Sequence, residues 1–227
     1  ARLLLEQRLH ISHSCIYNRL RRLGAHAGVL RCGRSQRKAR HSGAGQLPER
    51  VGIEQRPDVV NERSRLGDWE GDTIVSGAGG LAGVLTLTER RARYTLAARL
   101  RRRQAEPVAE AIIDLLRPHG QCRHTLTLDN GKEFAQHRWV ARRLEMRVYF
   151  ADPHSPWQRG LNENHNGLLR YYFPKGSDLS AITQQQLDDA VYRLNHRPRR
   201  CLGWKTPHEV FHGFETTPLT LADWRTS

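Results

Sequence analysis

No run of 18 apolar residues occurs in this 227-residue sequence, so nothing in it is long enough to cross a bilayer as a helix. A clean basic amphipathic helix, the kind that rests on anionic lipid, is also missing. Cysteine is scarce: Cys15, Cys32, Cys122 and Cys201 make no Cys-x-x-Cys pair, which argues against a disulfide framework and the usual zinc-finger spacings. The close histidine pairs, His10 with His13 and His208 with His212, have no two further soft ligands nearby in sequence, so surface imidazoles and reduced thiols are expected. No secretory leader is read, which makes a reducing cytoplasm the expected compartment. A first residue of Ala1 rather than Met suggests a fragment or a processed chain.

Positive charge, by contrast, is plentiful. Lys and Arg total 37 against 23 Asp and Glu, a formal net charge of +14 with a pI of about 10.6. Such a surplus attracts polyanions and releases their counterions, and nucleic acid is the commonest partner of that kind. The excess is concentrated at the front: residues 1–66 hold 14 basic and 5 acidic side chains, and the remainder 23 and 18. A change of character near Leu66 marks a domain boundary.

In residues 1–23, Ser12 is a good N-cap, and Cys15, Ile16 and Leu20 have helical spacing. Arg19, Arg21 and Arg22 line the other side. This suits a partial helix-turn-helix DNA-binding segment, with a plain amphipathic helix as the alternative. Residues 24–65 lose periodicity and read as a basic linker or DNA-embracing arm. Strands are then expected at 71–75, 81–88 and 94–100, joined as an antiparallel meander. A helix at 106–116, a strand at 125–129, a helix at 133–144 and a strand at 147–151 follow. After a Pro-punctuated loop, helices are expected from 158 or 161 to 172 and from 183 to 195. This order predicts an α/β fold with a five-stranded mixed sheet flanked by helices. Strands four and five, reached through crossover helices, should run parallel to strand one. The globular part is placed at 66–212 and a tail at 213–227.

On that topology Asp72 in strand one and Asp129 at the end of strand four face each other, and Glu163 can reach them from the last long helix. Three carboxylates make an all-oxygen site for Mg²⁺ or Mn²⁺, and two such ions can drive in-line displacement at phosphorus. Each residue alone has a plainer explanation. Asp72 could simply end a strand, Asp129-Asn130-Gly131 is good turn chemistry, and a helical glutamate is usually solvated. Asp68 and Glu70, which precede the expected strand, compete with Asp72 for the first position.

Three segments carry a specific resemblance: Gly67-Asp-Trp-Glu-Gly-Asp72-Thr-Ile74, Leu126-Thr-Leu-Asp129-Asn-Gly-Lys-Glu-Phe134 and Pro156-Trp-Gln-Arg-Gly-Leu-Asn-Glu163-Asn-His-Asn-Gly-Leu-Leu-Arg170. Tyr171 to Gly176, Leu194 to Arg200 and Thr206 to Phe211 continue it, and 33 residues separate Asp129 from Glu163. Over about residues 46–212 the sequence resembles the IS-thirty family of insertion-sequence transposases, a DDE group with retroviral-integrase-like cores. The resemblance implies an RNase H-like fold and Asp72, Asp129 and Glu163 as a catalytic, metal-binding triad. It implies metal-dependent cleavage and strand transfer at element ends, with Mg²⁺ (Mn²⁺ as substitute) and two ions expected.

Double-stranded DNA is the implied partner, both the terminal inverted repeats and the target. A homo-oligomer on DNA and a bacterial, nucleoid-associated location also follow from the resemblance. By chemistry, Lys132, Arg159, Arg170 and Lys175 are candidates for phosphate contact, solvated charges being the alternative. Asn166, three residues after Glu163, is expected to touch DNA or to orient a carboxylate. Trp157 is expected to anchor a loop or the core rather than stack on a base. Residues 21–45 depart from the family pattern, which fits a truncated or frame-disrupted copy. The alternative function is accordingly a catalytically idle DNA-binding remnant.

Overall fold

The computed structural model describes residues 47–77, 80–152 and 155–213, without the side chains of 156 and 157. The expectations for residues 1–46, including Arg19, Arg21 and Arg22, for the Trp157 side chain and for the tail beyond residue 213 lie outside the described residues.

A short helix, α1 (Asp58–Glu62), leads into the sheet. Strands β1 (Asp68–Val75), β2 (Gly83–Glu89) and β3 (Thr95–Leu100) pair antiparallel in succession, as the meander predicts. Helix α2 (Ala105–Leu116) carries the chain across to β4 (Thr125–Leu128), and α3 (His137–Leu144) carries it to β5 (Arg147–Phe150). Both late strands are parallel, giving the order β3-β2-β1-β4-β5. Helices α4 (Gly160–Tyr172), α5 (Gln184–Asn195) and α6 (Pro207–His212) complete the described chain.

The two faces of the sheet are covered by different helices. Trp69, Leu85, Leu87, Leu126 and Leu128 point to one face and pack with Val108, Ile112 and Leu116 of α2 and Val140 and Leu144 of α3. Ile74, Val84 and Ala97 point to the other and meet Leu168 and Leu169 of α4 and Leu187, Ala190 and Leu194 of α5. Period-2 alternation in the strands and 3.6-residue spacing in the helices produce this division. Each enclosed leucine contributes about 1.5–3 kcal/mol of apolar burial. Gly71 has a specific packing reason: a Cβ there would stand 2.6 Å from Leu128 and 3.2 Å from Leu87.

Four expectations need correction. Strand β1 starts at Asp68, three residues early, so Asp68 and Glu70 do not precede the strand as expected. They lie within it on the same face as Asp72, and the alternation of charge with Trp69 and Gly71 concealed the strand. Residues 47–65 are not a linker. Leu47 lies in the main core, Val60 is fully buried, and Arg56 is 8% exposed and donates to Thr127 Oγ1 at 3.1 Å. Gly52 bridges to Phe150, whose N–H donates to Val51 O at 2.9 Å. Arginines that fold inward resemble solvated charge in a sequence, which is why the segment read as polar. The helix expected from Glu133 begins at His137, after a separate 3-10 turn over Lys132–Phe134. Finally, α6 was not anticipated, although Thr206 and Glu209 make a reciprocal capping box around Pro207.

Glu89, at the end of β2, is completely enclosed and accepts N–H bonds from Gly67 at 3.0 Å and from Ala92. Burial pushes its carboxyl up to about 7 against the pull of those donors. A folded-state pKa above the unfolded one favours the folded protein fully only below the unfolded value. That advantage is lost as pH rises through the folded value, a swing on the order of 3 kcal/mol. The Glu89→Gln variant is therefore expected to gain about 5–10 °C in melting temperature relative to the parent chain between pH 5 and pH 8. A difference that stays flat over that range would mean the carboxyl titrates normally.

Candidate active site

Pairing between β1 and β4 ends at Glu70 with Thr127. The same register continued two residues further sets Asp129 level with Asp72, where the ladder has opened. The sequence argument placed these two residues together, and the structure does so. Asp72 is 23% and Asp129 37% exposed, so both carboxylates stand at the mouth of the opening.

Each carboxylate is held by its surroundings. Asp72 accepts from its neighbour Thr73 N–H at 2.8 Å and from Asn166 Nδ2 on α4 at 2.8 Å. Asn166 is in turn fixed by Thr86 Oγ1 of β2, which donates to its Oδ1 at 2.9 Å. The spacing of Asn166 from Glu163 predicts contact with DNA or with that glutamate; the carboxylate it reaches is Asp72 instead. Asp129 Oδ1 accepts from Gly131 N–H at 3.0 Å, so the turn chemistry and the site geometry are the same feature. Asn130 anchors that turn: its Nδ2 donates to Ala151 O at 2.7 Å, and its Oδ1 accepts from Arg50 Nη1 at 2.8 Å.

Arg159 lies between the two aspartates, not at a surface awaiting phosphate. Its Nη2 is 3.2 Å from Asp129 Oδ2 and its Nη1 is 3.7 Å from Asp72 Oδ1. Nη1 also donates to Gly71 O at 3.2 Å, while the buried Nε has no partner. Burial pushes the Asp72 carboxyl up to about 6. Arg159 opposes that rise, Asp129 adds to it, the Thr73 N–H opposes it and Glu133 adds again. Enclosure thus outweighs the arginine in setting how readily Asp72 ionises.

Glu133 is a residue the sequence reading missed. It accepts from Thr73 Oγ1 at 2.8 Å and lies 3.9 Å from Arg103 Nη1. Its place four residues after Asp129, in one of the motifs quoted above, was the available signal.

Glu163 is exposed on α4, and none of the contacts described joins it to either aspartate. Among the described residues no three His, Cys, Asp or Glu side chains are assembled to hold a metal ion. The all-oxygen pair, with a cationic group already seated between its members, nonetheless suits a hard divalent cation. Arg170 donates to Val75 O at 2.8 Å, at the end of β1, while Lys132 and Lys175 are exposed.

Asp68 and Glu70 are occupied elsewhere. Asp68 takes a forked pair from Arg65 at 2.9 and 3.0 Å and a hydroxyl from Thr125 at 2.8 Å. Glu70, fully buried, is ion-paired with Arg90 and accepts from Asn162 N–H at 3.2 Å. Pairing of this kind neutralises both carboxylates and explains, better than strand boundaries, why Asp72 is the one left to the opening.

Residues 63–156 match the integrase core domain family. Over 208 residues the chain is 41% identical to the transposase for insertion sequence element IS4351 of Bacteroides fragilis, covering 88% of this chain and 64% of that protein. It is 41% identical over 182 residues to transposase InsI for insertion sequence element IS30A of Escherichia coli (strain K12), covering 80% of this chain and 47% of the relative. The chain thus spans between about half and just under two thirds of the length of these relatives. Among solved structures, a chain of the simian T-cell lymphotropic virus intasome in complex with PP2A regulatory subunit B56 gamma superposes with a TM-score of 0.53 at 18% identity, over 93% of this chain and 69% of that one. The catalytic core domain of BIV integrase gives a TM-score of 0.50 at 22% identity, over 66% of this chain and 95% of that one. The fold is RNase H-like, as in retroviral integrase cores.

Removing one partner of a buried ion pair costs about 3–5 kcal/mol, because the other charge is left alone. Glu70→Gln should accordingly lower the melting temperature by about 10 °C. Asp72→Asn, which removes a poorly neutralised carboxylate, should leave it no lower than in the parent chain. The opposite ranking in thermal melts would exchange the roles assigned to the two residues.

Proposed function

We propose that this chain, a member of the IS-thirty family of insertion-sequence transposases, cuts DNA at the ends of an insertion sequence and joins those ends to a target. Asp72, Asp129 and Glu163 are the residues that would hold Mg²⁺, with Mn²⁺ as a substitute and two ions as the expected number. The observation that carries this reading is the pair of aspartates brought level at the open end of β1 and β4 around one positive group.

When bound, the ions supply activation of the attacking oxygen and neutralisation of charge at phosphorus. The chain's own residues provide the frame. Asn166 and the Thr73 N–H fix the direction of the Asp72 carboxylate, and the Asp129 turn fixes that of the second. Lys132 and Lys175, both exposed, would meet DNA phosphates, and Arg170, bound to the end of β1, would add a further contact. In the first step water breaks a phosphodiester at the element end and leaves a 3′-hydroxyl. In the second, that hydroxyl attacks a target phosphodiester and displaces another 3′-oxygen. Both are in-line displacements with different nucleophiles, so neither ATP nor a covalent protein–DNA intermediate is needed.

The partners are double-stranded DNA, namely terminal inverted repeats and target, with Arg19, Arg21 and Arg22 as further DNA contacts. Two ends require at least two active sites, hence a homo-oligomer on DNA. Such a reaction belongs on the bacterial nucleoid in the cytoplasm. No helix among the described residues is long and apolar enough to cross a membrane. An idle DNA-binding remnant is the less favoured reading, because two of the three carboxylates are already aligned.

A branched DNA that mimics a joined product tests the core directly, since it makes small demands on end recognition. With Mn²⁺ the chain is expected to resolve the branch. Asp72→Asn, Asp129→Asn and Glu163→Gln are each expected to lower the rate at least about 100-fold while DNA binding persists. A folded, DNA-binding chain that leaves the branch intact would establish the idle remnant instead, and full activity in any one variant would remove that residue from the triad.

A further inference from the structure

The guanidinium of Arg159 touches both aspartates, yet it is held incompletely. One ion-pair distance is 3.2 Å, the other is 3.7 Å, and the buried Nε has no acceptor. The side chain is only 14% exposed, so it is tucked into the opening rather than resting on its rim. Arg159 occupies the N-cap of α4, and Glu163 lies four residues further along. The N-cap backbone is not helical (φ −125°, ψ 34°), and it turns the arginine into the opening while Glu163 stays exposed on the helix.

We propose that Arg159 is a built-in counter-cation, seated between Asp72 and Asp129 until a divalent ion displaces it. The proposal rests on the reading of those aspartates as ion ligands. Without some cation, two neighbouring carboxylates repel each other and the opening spreads. With the arginine in place the site keeps its shape, but at the cost of a competitor for incoming metal. Once displaced, the guanidinium has its planar fork released to face phosphate oxygens. Metal loading and exposure of a phosphate-binding group become one event. Arg159 is a positioning residue in this scheme, since it acts through the carboxylates.

Mn²⁺ titration of the full chain, followed by the loss of the free-ion electron paramagnetic resonance signal, tests the idea without any DNA reaction. Parent chain, Arg159→Gln, Arg159→Lys and Asp129→Asn are compared at one pH and salt concentration. Arg159→Gln is expected to bind Mn²⁺ at least about fivefold more tightly than the parent, with Arg159→Lys in between. Without metal, Arg159→Gln should melt below the parent chain, and saturating Mn²⁺ should close that gap. A residue of merely structural importance would not tighten ion binding when removed. Equal or weaker Mn²⁺ affinity in Arg159→Gln, alongside a loss in Asp129→Asn, would overturn the counter-cation role and leave the ligand assignment standing. Unchanged Mn²⁺ binding in Asp129→Asn would remove the ligand assignment and the counter-cation role with it.

Discussion

Parallel pairing of β1 with β4 is the constraint on which the site depends. A parallel ladder fixes register rigidly while it lasts, and here it lasts only from Asp68 with Thr125 to Glu70 with Thr127. Beyond that the strands part, and the next side chain on the same face of β1 comes level with the residue that follows β4. Two negative charges are thereby placed side by side at a half-enclosed opening. Proximity of this kind is unfavourable for the isolated chain and useful for a site that must attract cations.

One face of β1 carries Asp68, Glu70 and Asp72 in succession, and the differences among them show how the fold uses charge. The first two are enclosed and matched to Arg65 and Arg90, with further donors completing their shells. They hold the strand to its neighbours and to the start of α4. The third, nearer the open end, is matched only in part. A row of three acids thus passes from fully matched to partly matched along a few ångströms of strand. The change comes from how far the supply of neutralising partners extends, not from any difference in the acids themselves.

Much of this was legible beforehand. Alternation and helical spacing gave the strand order, and the order alone put Asp72 beside Asp129. The spacing of Asn166 from Glu163 pointed to the wrong carboxylate, because a helix register does not show which strand residue lies opposite. What escaped reading shares a physical cause: side chains whose polarity is satisfied internally. Asp68 and Glu70 look like surface charge until Arg65 and Arg90 are seen beside them, so β1 was drawn too short. Arg56 and Arg50 made residues 47–65 resemble a solvated arm. Arg159 was assigned to phosphate because a sequence shows that an arginine is near acids but not that it is inserted between them. The helix at Pro207–His212, by contrast, has a cap that the sequence displays, Thr206 before Pro207 with Glu209 three residues on.

The hydrogen bond from Arg50 to Asn130 runs from the segment before the sheet to the turn beside the site. Asn130 holds the turn that bears Asp129, and Val51 and Gly52 run beside the end of β5 next to it. The segment before the sheet is therefore coupled to one wall of the site, like a guy rope made fast to a post. A fragment cut at residue 66 would keep every strand and both aspartates while slackening that stay. The functional boundary of this unit lies upstream of its first strand, at a place that strand-counting alone would discard.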